Sequence, residues 1–291
     1  MSGVTDSVAT CTGGPCHQDF HKCVQRLREF FTSKGFIEVH TQKELSILAA
    51  CEDPTTMATY NYSGNVWPLP QTGQMWLEHY LLDHPEEKGF FCLSTSFRNE
   101  PNPVPGRHDK IFPMFEFETK GGLETLIQLE KELLEFLGFS RDMYPNKEYP
   151  EGDYDEVAKK YGVEELEHEH EDRLEKDHGP VYFLKNFPEK TSPFWNMELY
   201  EGGKHAKKVD VILHGIETIG SAERSCDKEA MRHTFNTISN GEYANTLFAQ
   251  FTKERVQGEL NEFLSKNFMQ RCGGGIGVTR MIRAMKLSHI L

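Results

Sequence analysis

The stretch Phe97-Arg98-Asn99-Glu100-Pro101-Asn102-Pro103-Val104-Pro105-Gly106-Arg107-His108-Asp109-Lys110-Ile111-Phe112-Pro113-Met114-Phe115-Glu116-Phe117-Glu118 decides how the rest of the chain is read. Arms of alternating apolar and polar residues, Phe90 to Phe97 and Phe112 to Phe117, flank a proline-stiffened loop. That is the pattern of an antiparallel strand pair with a rigid connection. Arg98 and Arg107 are planar guanidinium forks suited to phosphate or carboxylate, and Phe112 offers a flat face at the loop's far root. Two readings stand open at this point: a nucleotide cradle, or a surface ion-pair cluster on a hairpin.

Outward from the hairpin, the period of the apolar residues changes to that of helices. Phe20, Val24, Leu27, Phe30 and Phe31 predict a helix from about His17 to Ser33, ended by Gly35 and followed by a strand, Phe36 to His40. The same helix accounts for the spacing of Cys16, His17, His21 and Cys23 more simply than a metal set does. Ser46 to Gly64 has poor periodicity and reads as a loop or two short turns. Met75 to Leu82 is a short helix with Thr72 as its cap. Leu126, Ile127, Leu129, Leu133, Leu134 and Leu137 mark an amphipathic helix from Leu123 to Leu137.

The acidic region from about 141 to 178 reads as a surface insertion with two short helices. Strand signals return at Val181 to Leu184, Pro193 to Met197, Lys208 to Leu213 and Glu217 to Ser225. Helices follow near Lys228 to Ile238, Glu242 to Phe251 and Glu254 to Asn267. The glycine run Gly273 to Gly277 opens a last helix, Val278 to Met285. It is neither a Rossmann nor a Walker loop. Long-range strand pairs interrupted by helices imply an α+β domain around a largely antiparallel sheet.

Composition narrows the function classes. The 291 residues carry 45 acids against 32 bases, a formal net charge of −13, which disfavours broad nucleic-acid binding. Hydrophobic residues make up 37% of the chain, and no run reaches the length of a membrane span. Seven cysteines, an odd number without CxxC pairs, and no secretory signal give the expectation of a reducing compartment, the cytoplasm.

Three further places carry candidate chemistry. Asp210 and Glu217 are seven residues apart on neighbouring strand segments. If Gly215 lies at the turn, both reach one metal ion bound to nucleotide phosphates; structural ion pairing is the alternative. Gly220-Ser221-Ala222 leaves room for a small ligand beside the backbone, with Arg224 placed to clamp a carboxylate. Arg280, in the first turn of the last helix, could meet a terminal phosphate; a solvent-facing arginine is the alternative.

Taken in order, "GFIEV", "FRNE…RH…F…E.E", "G.E..GSAER" and "GGGIGVTR" resemble the signature motifs of class II aminoacyl-tRNA synthetases, specifically the aspartyl/asparaginyl branch. The resemblance runs from about His17 to the end and implies a catalytic domain over 17–291 behind a flexible arm, 1–16. By this likeness Arg98 and Arg280 are the catalytic arginines. Arg98 would hold the α-phosphate of ATP, Glu100 the base or the amino-acid end, and Arg107 and His108 the outer phosphates. Phe112 would stack under adenine, with Arg280 on its other side. Asp210 and Glu217 match acids that bind Mg2+, Arg224 the arginine at the substrate's side-chain end, and Gln74 the glutamine near its amino group. Specificity is expected from what Leu77, Trp195, Asn196 and Ser221 present to the pocket.

The sequence departs from the family pattern at four positions: Gln42 replaces the first-motif proline, Ile111 and Thr279 replace acids, and Leu77 replaces the lysine of aspartate-specific enzymes. The likeness implies an ATP-dependent ligase that forms an aminoacyl-adenylate of aspartate, asparagine or a close analogue, releasing PPi. A stand-alone paralogue without the anticodon-binding domain is expected, as is a homodimer through the first motif. The acceptor is open among ammonia, as in asparagine synthetase, a tRNA end, and an amine. The reading from another class is a non-catalytic paralogue that binds ATP or an amino acid.

Overall fold

The structure, a computed structural model, describes residues 15–48, 53–102, 109–191 and 194–291. In chain order the described residues form helix α1 (His17–Ser33), strands β1 (Ile37–Glu38), β2 (Thr59–Tyr62) and β3 (Asn65–Pro68), helix α2 (Gln74–Asp83), strands β4 (Gly89–Phe97) and β5 (Ile111–Lys120), and helix α3 (Leu123–Leu137). Strand β6 (Glu151–Asp153), helices α4 (Tyr154–Tyr161) and α5 (His168–His178), and strands β7 (Val181–Pro188), β8 (His205–Leu213) and β9 (Ile216–Arg224) come next. Helices α6 (Lys228–Thr237), α7 (Glu242–Phe251) and α8 (Lys253–Ser265), strand β10 (Arg271–Gly277) and helix α9 (Val278–Leu287) complete the order.

Eight strands make one sheet in the order β1-β4-β5-β10-β9-β8-β7-β6. The pairings β1 with β4 and β6 with β7 are parallel and the remainder antiparallel, so the α+β expectation holds. Side chains alternate between the two faces of such a sheet. One face sends Phe91, Phe115, Phe117, Val209, Val211, Ile219 and Ile276 into a core completed by α1, α3 and α9. Phe31 of α1 lies at its centre, its ring 4.9 to 5.9 Å from those of Phe36, Phe91, Phe115 and Phe117. Burying a side chain of that size contributes roughly 1.5–3 kcal/mol. The opposite face carries the polar residues considered below. A separate apolar cluster, built by α6, α7 and α8, takes in Met75 and Leu82 of α2 together with Trp195.

Several segments differ from their sequence reading. The loop expected over Ser46 to Gly64 contains strand β2, which forms a hairpin with β3 just beyond it through a turn at Ser63 and Gly64, both at positive φ. The strand expected over Phe36 to His40 shrinks to two residues. Pro193 to Met197 makes no strand among its described residues, only a single bridge from Met197 to Arg224. The acidic region is not merely a surface addition. It supplies edge strand β6, and Tyr154, Val157, Tyr161 and Leu174 form a small core with Tyr182, Leu184 and Phe187.

The glycine run is itself the central strand β10, paired on both sides. What demands glycine there is closeness of neighbours. A Cβ at Gly273 would lie 1.9 Å from Glu118 Oε2, and one at Gly274 2.4 Å from the Ser221 Cβ. Gln42, where the family has proline, sits at φ +66°, which proline cannot adopt. Its amide pairs with the backbone of Thr95 at the margin of β4, donating to the carbonyl at 2.7 Å and accepting from the N–H at 3.4 Å.

Candidate active site

Strands β5, β10 and β9 and the start of α9 enclose a cavity of about 310 Å³. Of the residues singled out from sequence, Arg98, Glu100, Phe112, Glu217 and Arg280 line it together. They come from four segments of the chain, and sheet order explains the convergence: β5 and β9 flank β10, whose last residue begins α9. Gly275 and Gly277 leave the floor without side chains, so main chain faces the cavity directly.

The guanidinium of Arg98 stands 5.6 Å from the centroid of the Phe112 ring, and its buried Nε has no hydrogen-bond partner. A buried charged donor left unmade is costly unless a ligand meets it. Arg280 donates through Nη1 to Glu217 O at 2.7 Å. Arg283, one helical turn on, also lines the cavity and donates to His214 O at 3.1 Å. That three-residue step was readable in the sequence. Arg107 and His108 lie outside the described residues.

The acid pair is aligned by two local features. His214 and Gly215, both at positive φ, make the two-residue turn between β8 and β9. Ladder register then shifts between Val211 and Ile212, since Val211 faces Ile219 while Ile212 faces Glu217. Thr218 is thus an extra residue, and this bulge puts Glu217 on the same face as Asp210 and Gly220. Strict alternation from Gly220 would have sent it to the helical core. A Cβ at Gly220 would lie 2.8 Å from Glu217 Oε1 and 3.6 Å from Asp210 Oδ1, so both carboxylates flank that glycine. Asp210 Oδ1 is buried without a partner. Burial raises the Asp210 carboxyl above its ordinary range, with Lys208 opposing and Glu217 adding to the rise.

The residues expected around the amino acid divide. Arg224 and Gln74 face the site side but are engaged with the protein itself. Arg224 donates to Glu118 Oε1 at 3.3 Å and to Gln74 Oε1 at 3.1 Å, while Gln74 Nε2 donates to Gly274 O at 2.8 Å. Arg271 and Glu78, 2.7 Å apart, continue this buried network, and Asn196 Nδ2 donates to Glu78 Oε1 at 2.7 Å. Burial pushes the Glu118 carboxyl upward against the pull of Arg224.

Ser221 and Trp195 are not brought to the cavity. Ser221, one residue out of phase with Gly220, points to the helical side and donates to Glu130 Oε1 at 2.6 Å. Trp195 is buried in the α6–α8 cluster, its Nε1 on Leu48 O at 3.3 Å. Leu77 is fully buried, packing with Leu81, Phe90 and Cys92.

Sequence reasoning left Glu116 without a role. It is buried beside the start of α2, with Oε2 accepting from Gly73 N at 2.7 Å and from Ser94 Oγ, while Oε1 has no partner. Among the described residues no three His, Cys, Asp or Glu side chains gather as a metal set, and no helix is long and apolar enough to cross a membrane.

An arginine-rimmed cavity beside two carboxylates, on an antiparallel sheet of this order, is the architecture of a class II synthetase core. The model of the family tRNA synthetases class II (D, K and N) matches residues 18–289, and the chain belongs to that family. It is 23% identical over 287 residues to Aspartate--tRNA(Asp/Asn) ligase of Archaeoglobus fulgidus, covering 91% of this chain and 63% of that one. With Aspartate--tRNA(Asp) ligase of Pyrococcus abyssi it shares 27% over 293 residues, covering 89% and 62%. The chain thus spans less than two thirds of the length of these curated relatives. Asparaginyl-tRNA synthetase from Pyrococcus horikoshii complexed with asparaginyl-adenylate shares the fold, with a TM-score of 0.74 at 21% identity over 94% of this chain and 65% of that one.

Proposed function

We propose that the chain is an ATP-dependent ligase that activates aspartate, asparagine or a close analogue as the aminoacyl-adenylate, releasing PPi. The observation that carries this is the convergence of Arg98, Phe112, Glu217 and Arg280 on one cavity. In the reaction a carboxylate oxygen of the amino acid bonds to the α-phosphorus as the bond to the bridging oxygen of PPi breaks. No covalent nucleophile is required, so catalysis rests on positioning and charge neutralisation.

Arg98, with its partnerless Nε, serves the α-phosphate, and Arg280 the far end of the triphosphate. Phe112 gives adenine a flat face. Asp210 and Glu217 fit a divalent cation, because an unpartnered buried carboxylate oxygen adjoins a second carboxylate beside a glycine. Mg2+ held there would supply charge neutralisation to the phosphates. Arg224, Gln74 and Glu118 lie on the side assigned to the amino acid.

Amino-acid-dependent exchange of labelled PPi into ATP is the test. Exchange with one or a few amino acids is expected; silence with all twenty sinks the proposal. Product analysis by mass spectrometry with ammonia, a tRNA or small amines then identifies the acceptor.

A further inference from the structure

Lys208 lies two residues before Asp210 on the same face of β8 and is nearly as buried, at 9% exposure against 5%. Its Nζ is 2.7 Å from Asp210 Oδ2 and 3.9 Å from the centroid of the Phe187 ring. An ammonium withdrawn from water costs several kcal/mol unless it is paired, and here a carboxylate and an aromatic face both hold it. The pairing leaves one oxygen of Asp210, the partnerless Oδ1, beside Gly220, which Glu217 Oε1 also flanks. On the strand opposite, Glu217 N is itself tied to Glu171 Oε2 at 3.2 Å.

A magnesium-like cation needs about six oxygens and retains water where the protein offers few. The acid pair offers few, and part of its charge is already met by the lysine. We propose that Lys208 is a tethered cation that holds half of Asp210 and suppresses capture of free divalent metal, so that the ion binds only together with polyphosphate oxygens. The inference rests on the nucleotide reading of the cavity. It goes beyond that reading by making Lys208 a positioning residue that couples metal entry to nucleotide entry. The two tasks of the acid pair, holding an ion and staying paired when no ion is present, are thereby divided between the two oxygens of Asp210.

The test is uptake of Mn2+ alone by the full chain at pH 8, read from loss of the free-ion paramagnetic resonance signal. Wild type, Lys208→Met and Lys208→Arg are compared, each with and without a non-hydrolysable ATP analogue. Lys208→Met should bind free Mn2+ at least about tenfold more tightly than wild type, since a unit charge beside the ion is removed. Lys208→Arg should stay close to wild type, and the difference should narrow when the analogue is present. A Lys208→Met protein that binds free Mn2+ no more tightly than wild type overturns the inference. So does a wild type that captures free Mn2+ as avidly without the analogue as with it, a measurement that needs no variant to fold. If the analogue fails to bind wild type at all, with or without metal, the nucleotide reading is what has failed, and the Mn2+ comparison still decides the lysine's part.

Discussion

The guanidinium of Arg280 donates to the main-chain oxygen of Glu217 over 2.7 Å, which ties the first turn of the last helix to the strand that bears the acid pair. A planar fork can hold that carbonyl with one nitrogen and present others to the cavity, whereas an ammonium is a single point charge. Arg280→Lys should therefore lower kcat/KM for PPi exchange by about 100-fold or more while moving the thermal midpoint by only a few degrees. Exchange kinetics and calorimetry on the same preparation check both halves. Exchange near the wild-type rate would remove Arg280 from the chemistry.

Two glycines should respond oppositely to alanine. At Gly273 the added methyl would lie 1.9 Å from Glu118 Oε2 and 2.4 Å from Phe117 O, one of them backbone, so Gly273→Ala should cost roughly 3 kcal/mol or more or prevent folding. At Gly258, inside α8, nothing lies within 4 Å, and Gly258→Ala should stabilise by roughly 0.5–1 kcal/mol. Urea denaturation of the pair decides. Equal midpoints would mean that β10 has slack the structure does not show.

Glu130, fully buried on α3 against Ser221, has its carboxyl pushed up to about 8 by burial, with the Ser221 hydroxyl pulling the other way. An acid that holds its proton more tightly folded than unfolded contributes stability that is complete below its unfolded value, near 4.5, and is lost as pH rises toward 8. Glu130→Gln removes that titration. Its unfolding free energy should fall less steeply than that of wild type between these limits, by up to about 1.4 kcal/mol per pH unit. Parallel curves for the two proteins would assign the slope to other groups.

Much of this architecture was legible beforehand, and the failures share a cause. α1, α3 and α7 were bounded correctly because long apolar stripes at helical spacing have few competing explanations. β10 was missed because a strand is recognised by the side chains it alternates, and Gly273 to Gly275 have none. The convergence of Arg98, Phe112, Glu217 and Arg280 followed from motif order, whereas Ser221 and Trp195 lie away from that cavity. Ser221 falls on the wrong side by simple alternation from Gly220 and Arg224, a parity available from the sequence. Glu217 shows why parity alone misleads: its odd interval to Arg224 fits the site only through the bulge at Thr218, and nothing in the residue types announced that. Trp195 depended on a distant packing partner, α8, which no local pattern encodes.

The bare floor of the cavity has an evolutionary corollary. Where main chain alone meets the ligand, there is nothing to exchange for a larger, smaller or differently charged group, and at Gly275 even one methyl would press within 2.6 Å of Met114 Cε. A change of ligand preference is therefore channelled to the walls, the side chains that β5, β9 and α9 turn to the cavity. A library selected for altered preference should return changes there while leaving the glycine strand untouched.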